Sequence, residues 1–190
     1  MKRKNILMKV AAAVAVLAAL GTTVYAQVSD KYSLKSPGGI AFSDFKGYED
    51  WPVLSSAHQP AAGGGAMGGD EVLKVIVANP AMIKAFKAGA PGNGQPFPEG
   101  SKMVKLQWKP KKSSEAPFDV DVPDVFNQAF VMEKDSKRFP KTGGWGYALF
   151  NYDAASNKWT ADKDSPADCG HACHVAVKSK DYIFHPYQTR

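Results

Sequence analysis

The period of the apolar residues changes twice between Val72 and Trp108, and that succession limits the folds open to this chain. Residues 72–78 read VLKVIVA, a run rich in β-branched side chains that predicts a strand. Asn79 and Pro80 then stand where a helix cap and a first-turn proline belong. Met82, Ile83 and Phe86 follow at helical spacing, so a short helix is predicted over 80–88, closed by Gly89. Residues 90–100 carry too much glycine and proline for either element and read as a loop. Over 102–108 strict alternation sets in, with Val104, Leu106 and Trp108 on one face and Ser101, Met103, Lys105 and Gln107 on the other. A charged turn is predicted over 109–115, and further strands over 125–133, 146–152 and 182–187. Gly143 and Gly144 form a turn before the strand at 146. A short helix is expected within 42–54, ending near Trp51, and a glycine-rich surface loop over 61–69. Short strands with so little helix predict an α+β domain, mostly antiparallel β-sheet with a few short helices.

The N-terminus reads as an address. Lys2, Arg3, Lys4 and Lys9 flank an apolar run at 10–20 that is too short for a stable membrane span, and Val24-Tyr25-Ala26 offers small residues at cleavage spacing. Residues 1–26 are therefore expected to be a signal peptide and 27–190 a single domain exported to the periplasm. Removing the four leader charges from the net +6 leaves about +2, which takes away the main support for a nucleic-acid or acidic-membrane partner. No later segment is apolar enough to predict membrane insertion.

Chemistry concentrates in Asp168-Cys169-Gly170-His171-Ala172-Cys173-His174. Covalent haem attachment needs two thiols that reach the two vinyl groups and a histidine directly after the second, so that its imidazole meets the iron. The usual spacing is C-x-x-C-H, and here one residue is added to give C-x-x-x-C-H. The motif predicts one covalently bound haem c on Cys169 and Cys173, with His174 as the proximal iron ligand. Other uses of the same residues stay open. Two cysteines four apart can close a small disulfide in an oxidising compartment. Cys169, His171, Cys173 and His174 could bind zinc, although four ligands within six residues fit a tetrahedron poorly. Free thiols there would be prone to oxidation. His171 reads as a solvated loop side chain, and His58 and His185 as hydrogen-bonded structural histidines. Met82 and Met132 read as core, and Met103 is the one axial candidate. Without a convincing sixth ligand the iron is expected to be five-coordinate and open to a small molecule.

Four stretches make the chain resemble the cytochrome P-460 family, which includes the cytochromes c′-beta. They are LKVIVANPAMIKAFKAG from Leu73, FPEGSKMVKLQWK from Phe97, KDSKRFPKTGGWGYALF from Lys134, and the haem motif with VKSKDYIFHPY from Val177. The resemblance implies a small antiparallel β fold with helices, assembled as a homodimer around a five-coordinate haem. In cytochromes P-460 a lysine is bonded to the porphyrin edge and tunes the iron for oxidising hydroxylamine. That lysine falls on Lys105, with Lys102 a weaker candidate. A carboxylate shortly before the haem motif serves as proton relay in active members, and Asp164 is the nearest match, with Ser165 its rival. In cytochromes c′-beta phenylalanines cap the distal side without a cross-link, and Phe97 is the candidate cap. Lys74 occupies a position that can hold a basic residue near the pocket, although a solvent-facing strand lysine is its simpler reading. The implied ligands are hydroxylamine or nitric oxide, with an electron-transfer partner of unknown identity. An enzyme oxidising hydroxylamine, a non-catalytic gas-binding protein and a one-electron carrier are the competing functions.

Overall fold

A computed structural model describes residues 31–61, 69–164 and 167–188. The expected signal peptide, most of the glycine-rich loop and Ser165 lie outside the described residues. Six strands form one antiparallel sheet in sequence order: β1 (Val53–Gln59), β2 (Val72–Ala78), β3 (Lys102–Lys112), β4 (Asp121–Lys134), β5 (Trp145–Asp153) and β6 (Lys158–Ala161). Two helices flank it, α1 (Pro80–Lys87) and α2 (Ala167–His174), with short 3-10 turns between elements. The predicted α+β class therefore holds.

Each face of the sheet carries rows of side chains fixed by the register. Val77, Val104, Val131 and Ala148 make one row, and Val75, Leu106, Ala129, Phe150 and Ala161 the next. These rows pack under Ile40, Phe42, Phe45 and Tyr48 from the N-terminal segment. Phe42 stacks on Phe150 with centroids 4.5 Å apart and meets Trp159 edge-on at 5.1 Å. The opposite face carries Ala78, Met103, Met132 and Tyr147, and beside them Ile76, Lys105, Phe130 and Leu149. Its third row is polar. Gln107 Nε2 donates to Gln128 Oε1 at 3.2 Å, Gln128 Nε2 to Asn151 Oδ1 at 3.0 Å, and Asn151 Nδ2 to Asp162 Oδ2 at 2.9 Å.

The helix α1 starts as its sequence indicates, with Asn79 Oδ1 accepting from Met82 N at 3.1 Å. The same oxygen accepts from Lys102 N, and Asn79 Nδ2 donates to the Gly100 carbonyl, so the cap also ties α1 to the start of β3. Met82 and Ile83 bury the inner side of the helix against Phe97, Trp145 and Ile183.

Several expectations change. Residues 42–54 form two 3-10 turns, Phe42–Phe45 and Tyr48–Asp50, followed by β1, whose alternation VLSSAHQ is too polar to mark a strand. The charged turn predicted at 109 begins later, because β3 and β4 pair out to Lys112 and Asp121. Residues 182–187 form no strand. Asp181 and Tyr182 both adopt positive φ, +47° and +66°, which breaks any extended run from there. The chain then packs Ile183 and Tyr187 against the α1 side of the core.

Candidate haem site

A cavity of about 500 Å³ opens between the α2 segment and the polar-row face of the sheet. The helix contributes Cys169, Gly170, Cys173 and His174, and the sheet contributes Lys74, Ile76, Met103, Lys105, Phe130, Met132, Tyr147 and Leu149. Phe184 and His185 close one side. The helical register keeps the residues of the lengthened motif together on one face. Residues four apart lie one turn above each other, so both thiols share the cavity face, and the residues directly after each share it too. Gly170 lets the helix come this close, since a Cβ there would lie 2.6 Å from Tyr147 Cβ. Both thiols are exposed and unjoined in this structure. Among the described residues no three His, Cys, Asp or Glu side chains converge to hold a metal ion, so the zinc reading has no geometry behind it.

His174 is fixed at its far nitrogen. Its Nδ1 donates to the Tyr182 carbonyl at 2.6 Å, which leaves Nε2 as the nitrogen with a free lone pair. Phe184 meets the ring edge-on at 4.8 Å, and Tyr147 lies at 5.2 Å. Burial holds the imidazole below its usual range against the opposing Tyr182 bond, and the Lys105 charge adds to the lowering. The residue is therefore kept neutral, the form that binds a metal.

Lys105 points into the same cavity. Its Nζ sits 3.6 Å from the centroid of the Phe130 ring, and no carboxylate pairs with it among the described residues. Burial pushes it down to about 8, Lys74 repels it further, and the nearby Cys173 thiol pulls the other way. Lys74 lines the cavity too, with Nζ donating to Gln59 Oε1, so it is a cavity residue and not the solvent-facing lysine its strand position suggested. Lys102 faces away, its Nζ donating to the Asp44 carbonyl at 2.6 Å beneath the other core.

Two sequence candidates fall outside the site. Phe97 is 1% exposed and packed between Phe86, at 4.6 Å, and Trp145, at 6.2 Å, so it is a core residue and does not line the cavity. Among the aromatic side chains that do line the cavity, with Tyr147 and Phe184, is Phe130, whose strand sequence carried no special signal. Asp164 is exposed in a turn where its amide donates to Asp162 Oδ1 at 2.9 Å, and it too is absent from the lining. Met103 does line the cavity, while also packing on the core. His185 also lines it and lies in an irregular segment, and exposed His58 pairs with Glu71 at 2.7 Å.

Sequence reasoning missed Asp181, the buried centre of the C-terminal turn. Its Oδ1 accepts from Lys134 Nζ at 2.8 Å and Trp145 Nε1 at 3.2 Å, and its Oδ2 from Phe97 N at 2.8 Å. This explains the density of the Lys134–Phe150 stretch. Lys134 reaches Asp181, Ser136 holds Glu99, Arg138 binds Glu133 and the Gly39 carbonyl, and Trp145 completes the cluster. The one available signal was an acid next to Tyr182 with a buried-type lysine and tryptophan upstream, and nothing in the spacing joins them.

The lining suits a flat apolar cofactor with a metal at its centre. It is mainly apolar, one imidazole offers Nε2, and two thiols share a helix face beside it. Ser55 Oγ and the Tyr147 hydroxyl are buried in the lining without a partner among the described residues, polar atoms left for a bound group. Burial also holds the Tyr147 phenol well above its usual range. Such a site defines a haem-binding protein of the c type. The cytochrome P460 family model matches residues 45–185, and the chain belongs to that family. The resemblance found in the sequence therefore holds, and with it the c-type haem character of the protein. No curated protein matches the chain. Among the described residues no helix is long and apolar enough to cross a membrane.

Proposed function

We propose that the chain is a periplasmic, homodimeric P-460-type cytochrome that oxidises hydroxylamine, binds nitric oxide, or does both. One haem would be held through the thiols of Cys169 and Cys173, with the His174 imidazole as its protein ligand to the iron and the other side left open to a small molecule. The observation that carries this reading is Lys105: a lysine buried in an apolar cavity, without a carboxylate and held near pH 8, in the cavity that His174 also lines. A neutral amine is the nucleophilic form of lysine, the form in which Lys105 would replace a porphyrin-edge C–H with a C–N bond, a step that releases two protons and passes two electrons to an oxidant such as a peroxide. When bound, the haem supplies a redox-active iron that can take a small nitrogenous ligand. The chain's own residues do the rest. His174 would hold the metal by Nε2 while Tyr182 fixes its tautomer, and the thiols would tether the macrocycle. Ile76, Met103, Phe130 and Leu149 keep bulk water from the cavity.

The test is the absorption spectrum and intact mass of the holoprotein. Wild type is expected to be green, with a red-shifted Soret band on reduction and a haem-peptide mass that includes the Lys105 peptide. Lys105→Ala is expected to give an ordinary red c-type spectrum and to lose that mass. An unchanged spectrum and mass pattern would exclude the cross-link.

A second reading has its own support. Phe130 stands over the cavity at 3.6 Å from Lys105 Nζ, and an aromatic wall favours a gas ligand over a polar substrate. On this reading the chain is a cytochrome c′-beta-like protein without a cross-link. A red wild-type protein that takes up nitric oxide but does not turn over hydroxylamine would select it.

A further inference from the structure

The C-terminal turn carries more structure than a chain end needs. Asp181 and Tyr182 are consecutive non-glycine residues in the left-handed region, where side chains are disfavoured. Such a turn persists only if its surroundings over-determine it. Here they do. The Asp181 side chain is 10% exposed, its partner Lys134 6% exposed, and three donors from three separate segments converge on the carboxylate. Lys134 Nζ also donates to the Gly143 carbonyl at 3.0 Å, and Gly143 lies so close that a Cβ there would be 2.3 Å from the Tyr182 ring. The turn's own amides are satisfied by Lys178 and Val177 carbonyls at 3.0 and 3.1 Å. The product of all this is the direction of one carbonyl, that of Tyr182, which accepts from His174 Nδ1 at 2.6 Å.

We propose that Asp181 is a positioning residue for the axial imidazole: its carboxylate, held by Phe97, Lys134 and Trp145, locks the left-handed turn whose Tyr182 carbonyl sets the orientation and donor strength of His174. The proposal rests on His174 being the haem ligand. A strong acceptor at Nδ1 gives the imidazole more imidazolate character, which strengthens the metal bond and favours the oxidised metal. The carboxylate does not touch the haem cavity, so its effect travels through the peptide between residues 181 and 182.

The test compares wild type, Asp181→Asn and Trp145→Phe as ferrous holoproteins, by the iron–histidine stretching band in resonance Raman spectra and by midpoint potential. Asp181→Asn keeps the side-chain volume but removes the charge and turns one of the two accepting oxygens into an NH2 donor, which must face either Lys134 and Trp145 or the Phe97 amide. Its band is expected to shift to lower frequency and broaden, and its midpoint to rise. Trp145→Phe removes one donor of three, so smaller shifts in the same directions are expected. A purely structural role would lower the melting temperature of both variants while leaving band and midpoint at wild-type values, and that result overturns the proposal. Should Asp181→Asn not fold, an unmoved band in folded Trp145→Phe overturns it equally. A wild-type protein with no iron–histidine band would instead remove His174 from the iron, and the reading of the site would fall before that of Asp181.

Discussion

At the residue scale the cavity turns on Lys105. Its alternation partners were polar, and by pattern alone it reads as a solvated strand lysine. What the pattern could not convey is that α2, some sixty residues away in sequence, covers that face and removes the water. The consequence is a pH dependence with a fixed sign. A lysine whose folded value is about 8, against an ordinary 10.5, is charged in the unfolded chain but largely neutral in the folded one between those limits. The unfolded chain then holds more protons, so stability rises as pH climbs from about 8 toward 10.5 and the burial penalty is present in full below 8. The gain is at most about 3.5 kcal/mol at ~1.4 kcal/mol per pH unit. Denaturant titrations of the haem-free chain at pH 7.5 and 10 should show this rise, and Lys105→Met should reduce it, leaving the smaller part that half-buried Lys74 contributes. Phe97 and Asp164 show the same limit of sequence reading from the other side. Each stands near the right stretch of chain, but Phe97 turns into the core between Phe86 and Trp145, and Asp164 is held in a surface turn by Asp162.

At the element scale, β2, α1 and β3 were legible because each has a local cause: β-branched residues, a capping Asn79 with Pro80, and clean alternation. Asn79 does double duty, capping α1 and accepting from Lys102 N. Asn79→Ala is therefore expected to cost about 1–2 kcal/mol, at the upper end for a cap, measured as a lower denaturation midpoint with an unchanged haem spectrum. β1 and β6 were not legible. β1 is half polar because it is an edge strand with Ser56 and His58 exposed, while Ser55 and Ala57 meet the cavity, and β6 is only four residues long. The haem motif was legible as chemistry but not as helix. Only the structure shows that the added residue places the cysteines one helical turn apart.

At the scale of the whole molecule, the two faces of the sheet have different tasks. The face beneath Phe42, Phe45 and Tyr48 is packed apolar core, and its rows have no opening to the cavity beyond Val131 and Ala148. A Cys169→Ala/Cys173→Ala chain, unable to form thioethers, is expected to keep strand-type circular dichroism and a single cooperative thermal transition. Loss of that transition would show that the haem is needed for the sheet itself.

The amide row at the cavity's outer edge has a direction built into it. A carboxylate only accepts, so Asp162 at one end obliges Asn151 to turn its nitrogen outward, Gln128 to follow, and Gln107 after it. Like a line of compass needles set by one magnet, all three amides share a heading, and the Gln107 oxygen is left facing the strand of Lys74. The heading of the Gln107 oxygen on β3 is thus decided three strands away, by a carboxylate that follows β6 at the far edge of the sheet.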